Sequence, residues 1–440
     1  MTGGLARLVE RAAAHDIVLH SLEVSVAGRL VHSAASDPHG PHVPHRMYSV
    51  AKSLTGLAIL GLAHDGALRL DDPVAAHLPE FGPVHDLVAR TTIADVLSMR
   101  GPHARTTYRE GEPDWLASYF RVPPTHAPGT IFTYDTSGSY VLSAIAERAH
   151  GAPLKWVLRE RLFAPLGAGD DLRVLRGPDG VGHGGSGLVC RPRDLLAIAE
   201  MLVGGGARGG VRVLPAEVVE QAIARRSEPS MQTWGGPLRA GYGAQIWLPP
   251  GGGWMMFGLG GQIVYGDPSR ELAVVVTANA QGCQAGDQRL VSLLLEALEE
   301  DPRSQETPSL APPAPPHDAA YARRIDGSFS LVAGEGAPDR IRVSAGAERA
   351  VVEAGEARFE AEPGRTTAFA REDGRGTIAA GWTAPGALEL RADLSGDDIL
   401  RRRVRLVRTD DGLVSVQAQG FGPAASPRDD WFGCYAPTSS

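Results

Sequence analysis

Ser49-Val50-Ala51-Lys52, continued by Ser53-Leu54-Thr55-Gly56-Leu57-Ala58-Ile59-Leu60-Gly61-Leu62-Ala63-His64, is the stretch on which the reading of this chain turns. Leu54, Leu57, Ala58, Leu60 and Leu62 make a broad apolar face at helical spacing, and Gly66 follows as a stop. The pattern predicts a buried helix opening at Ser49. Residues three apart share a helix face, so the Lys52 amine can reach the Ser49 hydroxyl. A serine hydroxyl is a weak nucleophile near neutral pH, and a lysine whose charged form is disfavoured by burial can accept its proton. At the first turn Ser49 also has a free backbone N–H and the positive end of the helix dipole, both suited to a developing oxyanion. Composition adds weight: of 43 basic residues only Lys52 and Lys155 are lysine, and Asn279 is the sole asparagine. A chain that avoids these residue types has a reason to keep them where they stand.

On either side of this helix the pattern predicts a two-part domain. Leu5, Leu8, Val9 and Ala12 give a helix over 5–14, and Ile17-Val18-Leu19 and Glu23-Val24-Ser25-Val26 read as strand up to Ala27-Gly28. Residues 70–250 read as short helices and loops. Thr92 with Asp95 forms a capping pair, Ser139–Ala149 is a helix closed by Gly151, and Asp194–Leu202 is another. Strands return at Gln262-Ile263-Val264-Tyr265 and Leu272-Ala273-Val274-Val275-Val276 around the turn 267–270, and Leu290–Leu298 is helical. The expectation is an α/β class: an antiparallel sheet flanked by terminal helices with an all-α lobe inserted, over residues 1–300. DPRSQETPSLAPPAPPHD (301–318) reads as an extended Pro-rich linker. Short segments such as Arg340–Val343, Leu388–Leu390 and Val404–Val407 then predict a small all-β domain over 319–440, a barrel or sandwich, with a lipocalin-like form among the options.

A second motif, Tyr134-Asp135-Thr136, sits on a loop before the Ser139 helix. S-x-x-K followed in this order by a tyrosine motif resembles the serine β-lactamase and penicillin-binding-protein family, in its class C-like, esterase-type members, over roughly residues 15–300. The resemblance implies a β-lactamase/transpeptidase-like fold, Ser49 as nucleophile, Lys52 as base, and Tyr134 as proton shuttle. It also places Thr136 where the family carries asparagine. A hydroxyl cannot present the two-sided amide of asparagine, so the grip on a substrate amide is altered. The family's third element, Lys-Thr-Gly or His-x-Gly, falls by position on Met256-Phe257-Gly258, with the polar first residue missing. Leu259-Gly260-Gly261-Gln262 follows, with small residues that let a substrate approach and with the Leu259 N–H matching the second oxyanion donor. Met256, Gly258, Gly260, Gly261 and Gln262 are therefore expected around the substrate. Without a cation or histidine there, a substrate carboxylate loses a partner, which favours esters and uncharged amides.

Other signals are weaker. Gly184-Gly185-Ser186-Gly187-Leu188 resembles a glycine-rich segment near the cleft of class C-like members, with a plain loop turn as the equal alternative. The Gly180, Gly182, Gly185 spacing is no dinucleotide fingerprint, because no strand precedes it. Trp115, Tyr119, Phe120 and Tyr108 are candidates for an acyl pocket. His39, His42, His45, His103 and His126 read as solvated loop histidines, and no metal or other cofactor is expected. Cys190, Cys283 and Cys434 are odd in number and far apart, which indicates no disulfide framework.

The formal charge of −8 argues against nucleic acid as a partner. The first twenty residues contain Glu10, Arg11 and Asp16 where an export signal needs an apolar run, so the expectation is a cytoplasmic chain with no membrane span. A homo-oligomer is compatible with the sequence. The expected function is a serine hydrolase cleaving an ester or amide of a small molecule or peptide. An acyltransferase or peptide cyclase using the same acyl-enzyme, and a catalytically silent binding protein, are the alternatives.

Overall fold

The computed structural model describes residues 3–109, 111–371 and 374–438. Its first sheet is antiparallel, ordered Arg29–Ala35, Val18–Val26, Leu272–Asn279, Gln262–Asp267, Trp254–Gly258. The two strand segments expected over 17–26 form one strand, and the Ala27-Gly28 break is a hairpin turn with both residues at positive φ (51° and 70°). Arg29–Ala35 and Trp254–Gly258 are strands that the sequence pattern did not predict, the first because exposed and buried positions mix irregularly along it.

Side chains alternate across this sheet, and each face feeds a different core. Leu22, Val24, Met255, Phe257, Val274 and Val276 pack against the terminal helices Gly4–Ala14 and Gly286–Ala297. Trp254, Met256, Val264, Ala273 and Val275 face the helical lobe instead. At the centre of that lobe lies the helix Val50–His64, in which every residue from Val50 to Leu62 is buried. It is apolar all round rather than on one face, because lobe and sheet enclose it together. The expected capping box at Thr92 and Asp95 is present, and Gly151 closes the helix Thr136–His150 at φ 80°.

Residues 325–437 form one ten-stranded antiparallel sheet, ordered Ala357–Ala361, Ala350–Ala354, Arg340–Ala345, Ile325–Glu335, Trp431–Pro437, Val414–Phe421, Ile399–Arg408, Ala387–Ser395, Gly374–Ala384, Thr366–Arg371. It curls into a near-barrel, with Pro363 bridging Ala380 close to where the sheet's two ends meet. Trp382, Leu388, Leu390, Leu406 and Tyr435 fill its interior.

The Pro-rich segment is extended but fastened at both ends. His32 bonds the Pro302 carbonyl (2.7 Å) and the Thr307 hydroxyl (2.9 Å), Leu310 packs on the first sheet's core, and the Trp382 amide donates to His317 (3.3 Å). The two domains also meet directly. Asp16 takes Arg391, Arg401 and Arg403; Asp398 takes Arg46; Asp397 takes Arg173. Among the described residues no helix is long and apolar enough to cross a membrane.

Candidate active site

Ser49 stands at the mouth of the Val50–His64 helix, directly after Tyr48, which is held at φ 47°. That unusual backbone makes a sharp bend between the strand His45–Tyr48 and the helix. One turn on, Lys52 is 1% exposed, and its Nζ donates to Ser49 Oγ at 2.9 Å and to the Gly185 carbonyl at 2.6 Å. Burial pushes the ammonium down to about 7. The charge of Asp135 acts in the opposite direction on Lys52 but does not offset the burial.

The second motif arrives on the loop before the helix Thr136–His150. Tyr134 lies beside Ser49, and its ring lies 4.9 Å from Lys52 Nζ. Burial raises its hydroxyl above the ordinary tyrosine range, so it stays protonated at neutral pH. Asp135 caps the helix, accepting from the Ser137 amide (2.8 Å), the Ser137 hydroxyl and the Gly138 amide (3.1 Å). Its carboxyl is pushed up to about 6 by burial. Asp135 is not among the site residues expected from the sequence, although an aspartate followed two residues later by serine at a helix start is a visible capping signal.

The glycine-rich segment belongs to the lysine pocket. A Cβ at Gly184 would lie 2.1 Å from Ser143 Oγ and 2.4 Å from Thr55 Oγ1, and one at Gly185 would lie 2.6 Å from the Thr136 methyl. Only glycine lets this backbone come close enough for its carbonyl to receive Lys52. Thr136 is half-buried, its methyl against Gly185 and its amide donating to Thr106 Oγ1 (3.1 Å).

Gly258 packs against the backbone around Ser49, where a Cβ would come within 2.3 Å of the Met47 carbonyl and 3.2 Å of the Ser49 amide. The turn Leu259-Gly260-Gly261 follows at the sheet edge, both glycines at positive φ. Gln262 is fully buried and fastens this turn: its amide donates to the Leu259 carbonyl (3.1 Å) and the Ala278 carbonyl (2.7 Å) and accepts from the Ala278 amide (3.2 Å). It orients the turn rather than facing a substrate. Leu259 remains 39% exposed.

Three expectations need correction. Met256 does not line the cleft: strand alternation turns it into the helical-lobe core, where it is 0% exposed. Tyr119 and Phe120 also lie in that core, while Tyr108 and Trp115 stack on each other (4.3 Å) beside His183, so this group packs the lobe. The aromatic groups flanking Tyr134 are Trp234 at 4.9 Å and Trp247 at 5.4 Å, which no local sequence pattern marks. Finally, His39, His45 and His103 are buried rather than solvated.

A serine at a helix start, a buried amine on its hydroxyl, a protonated phenol beside both and a glycine turn against its amide lie together at one edge of an antiparallel sheet. The chain belongs to the beta-lactamase family, whose model matches residues 5–299. Among curated proteins it is 26% identical over 292 residues to the 6-aminohexanoate-dimer hydrolase of Paenarthrobacter ureafaciens, covering 59% of this chain and 74% of that one. Two solved structures extend the likeness through the C-terminal domain. "SurE with D-Leu" is 21% identical with a TM-score of 0.55, covering 94% of this chain and 96% of that one. The octameric penicillin-binding protein homologue from Pyrococcus abyssi is 15% identical with a TM-score of 0.52, covering 98% and 99%.

Proposed function

We propose that the chain is a serine hydrolase that cleaves uncharged esters or amides of small molecules or peptides through an acyl-enzyme on Ser49. The observation that carries this reading is the 2.9 Å bond from a buried Lys52, its pKa near 7, to Ser49 Oγ. At neutral pH a large fraction of Lys52 is the free amine, which takes the hydroxyl proton as Ser49 Oγ bonds to the substrate carbonyl carbon. The amides of Ser49 and Leu259 receive the oxyanion. When the tetrahedral species collapses, the C–O or C–N bond to the leaving group breaks and Tyr134 supplies that group's proton, regaining one from the Lys52 ammonium. Water then attacks the acyl carbon by the reverse proton path and releases the acid.

The apolar Leu259 at the cleft edge, with Met256 withdrawn into the core, supports a preference for uncharged substrates. The named activity of the 6-aminohexanoate-dimer hydrolase supports hydrolytic chemistry within the family. Assembly as a homo-oligomer belongs to the same reading, supported by the octameric relative and tested by light scattering.

The test is turnover of p-nitrophenyl butyrate against the p-nitrophenyl monoester of succinate, for wild type and Ser49→Ala, with products weighed with and without an added amine. Butyrate hydrolysis that exceeds succinate hydrolysis and vanishes in the variant is the expected result. Turnover that persists in Ser49→Ala refutes the reading, and an amide product in place of the acid moves it to acyl transfer.

A further inference from the structure

Away from Ser49, at the seam between the domains, His20, His39 and Asp393 are all buried and bring one nitrogen or oxygen each within 4.8 Å of one another. His20 and His39 come from the catalytic domain and Asp393 from the near-barrel. The ring of His39 lies 3.7 Å over that of His20, and His39 Nε2 is buried with no hydrogen-bond partner. Leaving a ring nitrogen in that state costs free energy unless something occupies it.

The hydrogen bonds around His20 fix the charge that belongs there. His45 Nδ1 faces the Arg46 carbonyl at 2.8 Å and must donate to it. With that ring neutral, His45 Nε2 accepts from His20 Nδ1–H at 2.9 Å. His20 Nε2 then presents a lone pair to Asp393 Oδ2 at 2.7 Å. Two lone pairs cannot face each other at that distance, so the chain of bonds closes only with one positive charge beyond what neutral imidazoles and a carboxylate carry. A proton supplies that charge in the simplest case, and a metal ion supplies it equally well. The outer contacts suit the metal. His45 orients His20 through its other nitrogen, and Asn279, the chain's sole asparagine, donates to Asp393 Oδ1 at 2.7 Å, leaving Oδ2 free to ligate.

We propose that His20 Nε2, His39 Nε2 and Asp393 Oδ2 form a site for one divalent transition-metal ion of the zinc class, with a water as fourth ligand, joining the two domains. Two nitrogens and a carboxylate oxygen are a donor set that such ions accept. With metal–ligand bonds of about 2.0–2.1 Å a tetrahedral edge is about 3.3 Å. His20 and Asp393 therefore part by roughly half an ångström, and His39 swings its edge inward from the stack. The ion displaces the shared proton, so one proton leaves for each ion bound. No local pattern marks this set, since His20 lies in a strand, His39 in a loop, and Asp393 in another domain.

The experiment uses the full chain, stripped with a chelator, titrated with Zn²⁺ in buffers of different ionisation enthalpy and with Co²⁺ under visible absorption. The expected result is one ion per chain, close to one proton released, a four-coordinate Co²⁺ spectrum and a raised Tm with Zn²⁺. Asp393→Asn and His39→Gln should each weaken binding by tenfold or more, while His42→Ala leaves it unchanged. Should one variant fail to fold, the other decides. Absence of stoichiometric binding to wild type overturns the proposal, as does binding that both variants retain.

Discussion

The two sides of Ser49 are built from different parts of the molecule. Its lysine side is made entirely within the catalytic domain, from Lys52, Tyr134, Asp135 and Gly185. The side proposed to receive the oxyanion leans on the near-barrel. Tyr48, the residue before Ser49, receives the Ile399 amide at 2.9 Å and donates to Asp398 Oδ1 at 3.0 Å. The Ile399 side chain fills the space over Gly260, reaching within 2.3 Å of where a Cβ would stand. In the proposed mechanism, proton transfer is thus self-contained, whereas the donors for the oxyanion are braced by a second domain. Loss on the first side should remove the chemistry, and loss on the second should only loosen its geometry.

Substitutions can break that contrast or sharpen it. Lys52→Met should lower kcat/KM by about 10³-fold, within the range for losing a general base. Tyr134→Phe should cost about 10²-fold, most of all for substrates with poor leaving groups, because the phenol's part is to protonate what departs. Ile399→Ala and Tyr48→Phe should each lower kcat by about tenfold, the scale of a lost neutral hydrogen bond or a slackened turn, with the pH profile unmoved. If either far-side substitution matched Lys52→Met, the two sides would not differ as described. The smallest effect is on pH. kcat/KM should rise through a limb near pH 7 as Lys52 loses its proton. The negative charge of Asp135 raises the Lys52 pKa, so Asp135→Asn, which can still cap the helix, should move the limb to lower pH. An unmoved limb, or one shifted upward, would remove Asp135 from the account.

What the sequence made legible follows the same division. Ser49 and Lys52 are one helical turn apart, and the rarity of lysine drew attention to them; Tyr134 and Thr136 came from a contiguous motif. All of these are local signals, and the helices and strands around them repeat with clear periods. Met256 was misplaced because the resemblance puts it on the strand lining the site, and position in a motif does not say which face of that strand a side chain takes. Trp234, Ile399 and Asp393 carry no signal at all, since each acts through a partner distant in sequence. The histidines of residues 37–45 looked solvated because the loop is rich in proline and glycine, yet the near-barrel buries two of them, His39 and His45. Only tertiary contact between domains reveals such positions.

The central claim is that Ser49 becomes acylated because Lys52 takes its proton. Intact-mass analysis after exposure to a fluorophosphonate, followed by sequencing of the labelled peptide, tests it most directly. The account predicts one adduct per chain, located on Ser49, absent in Ser49→Ala and formed far more slowly in Lys52→Met. An adduct on another residue, or labelling of Ser49 at an undiminished rate without Lys52, would contradict it.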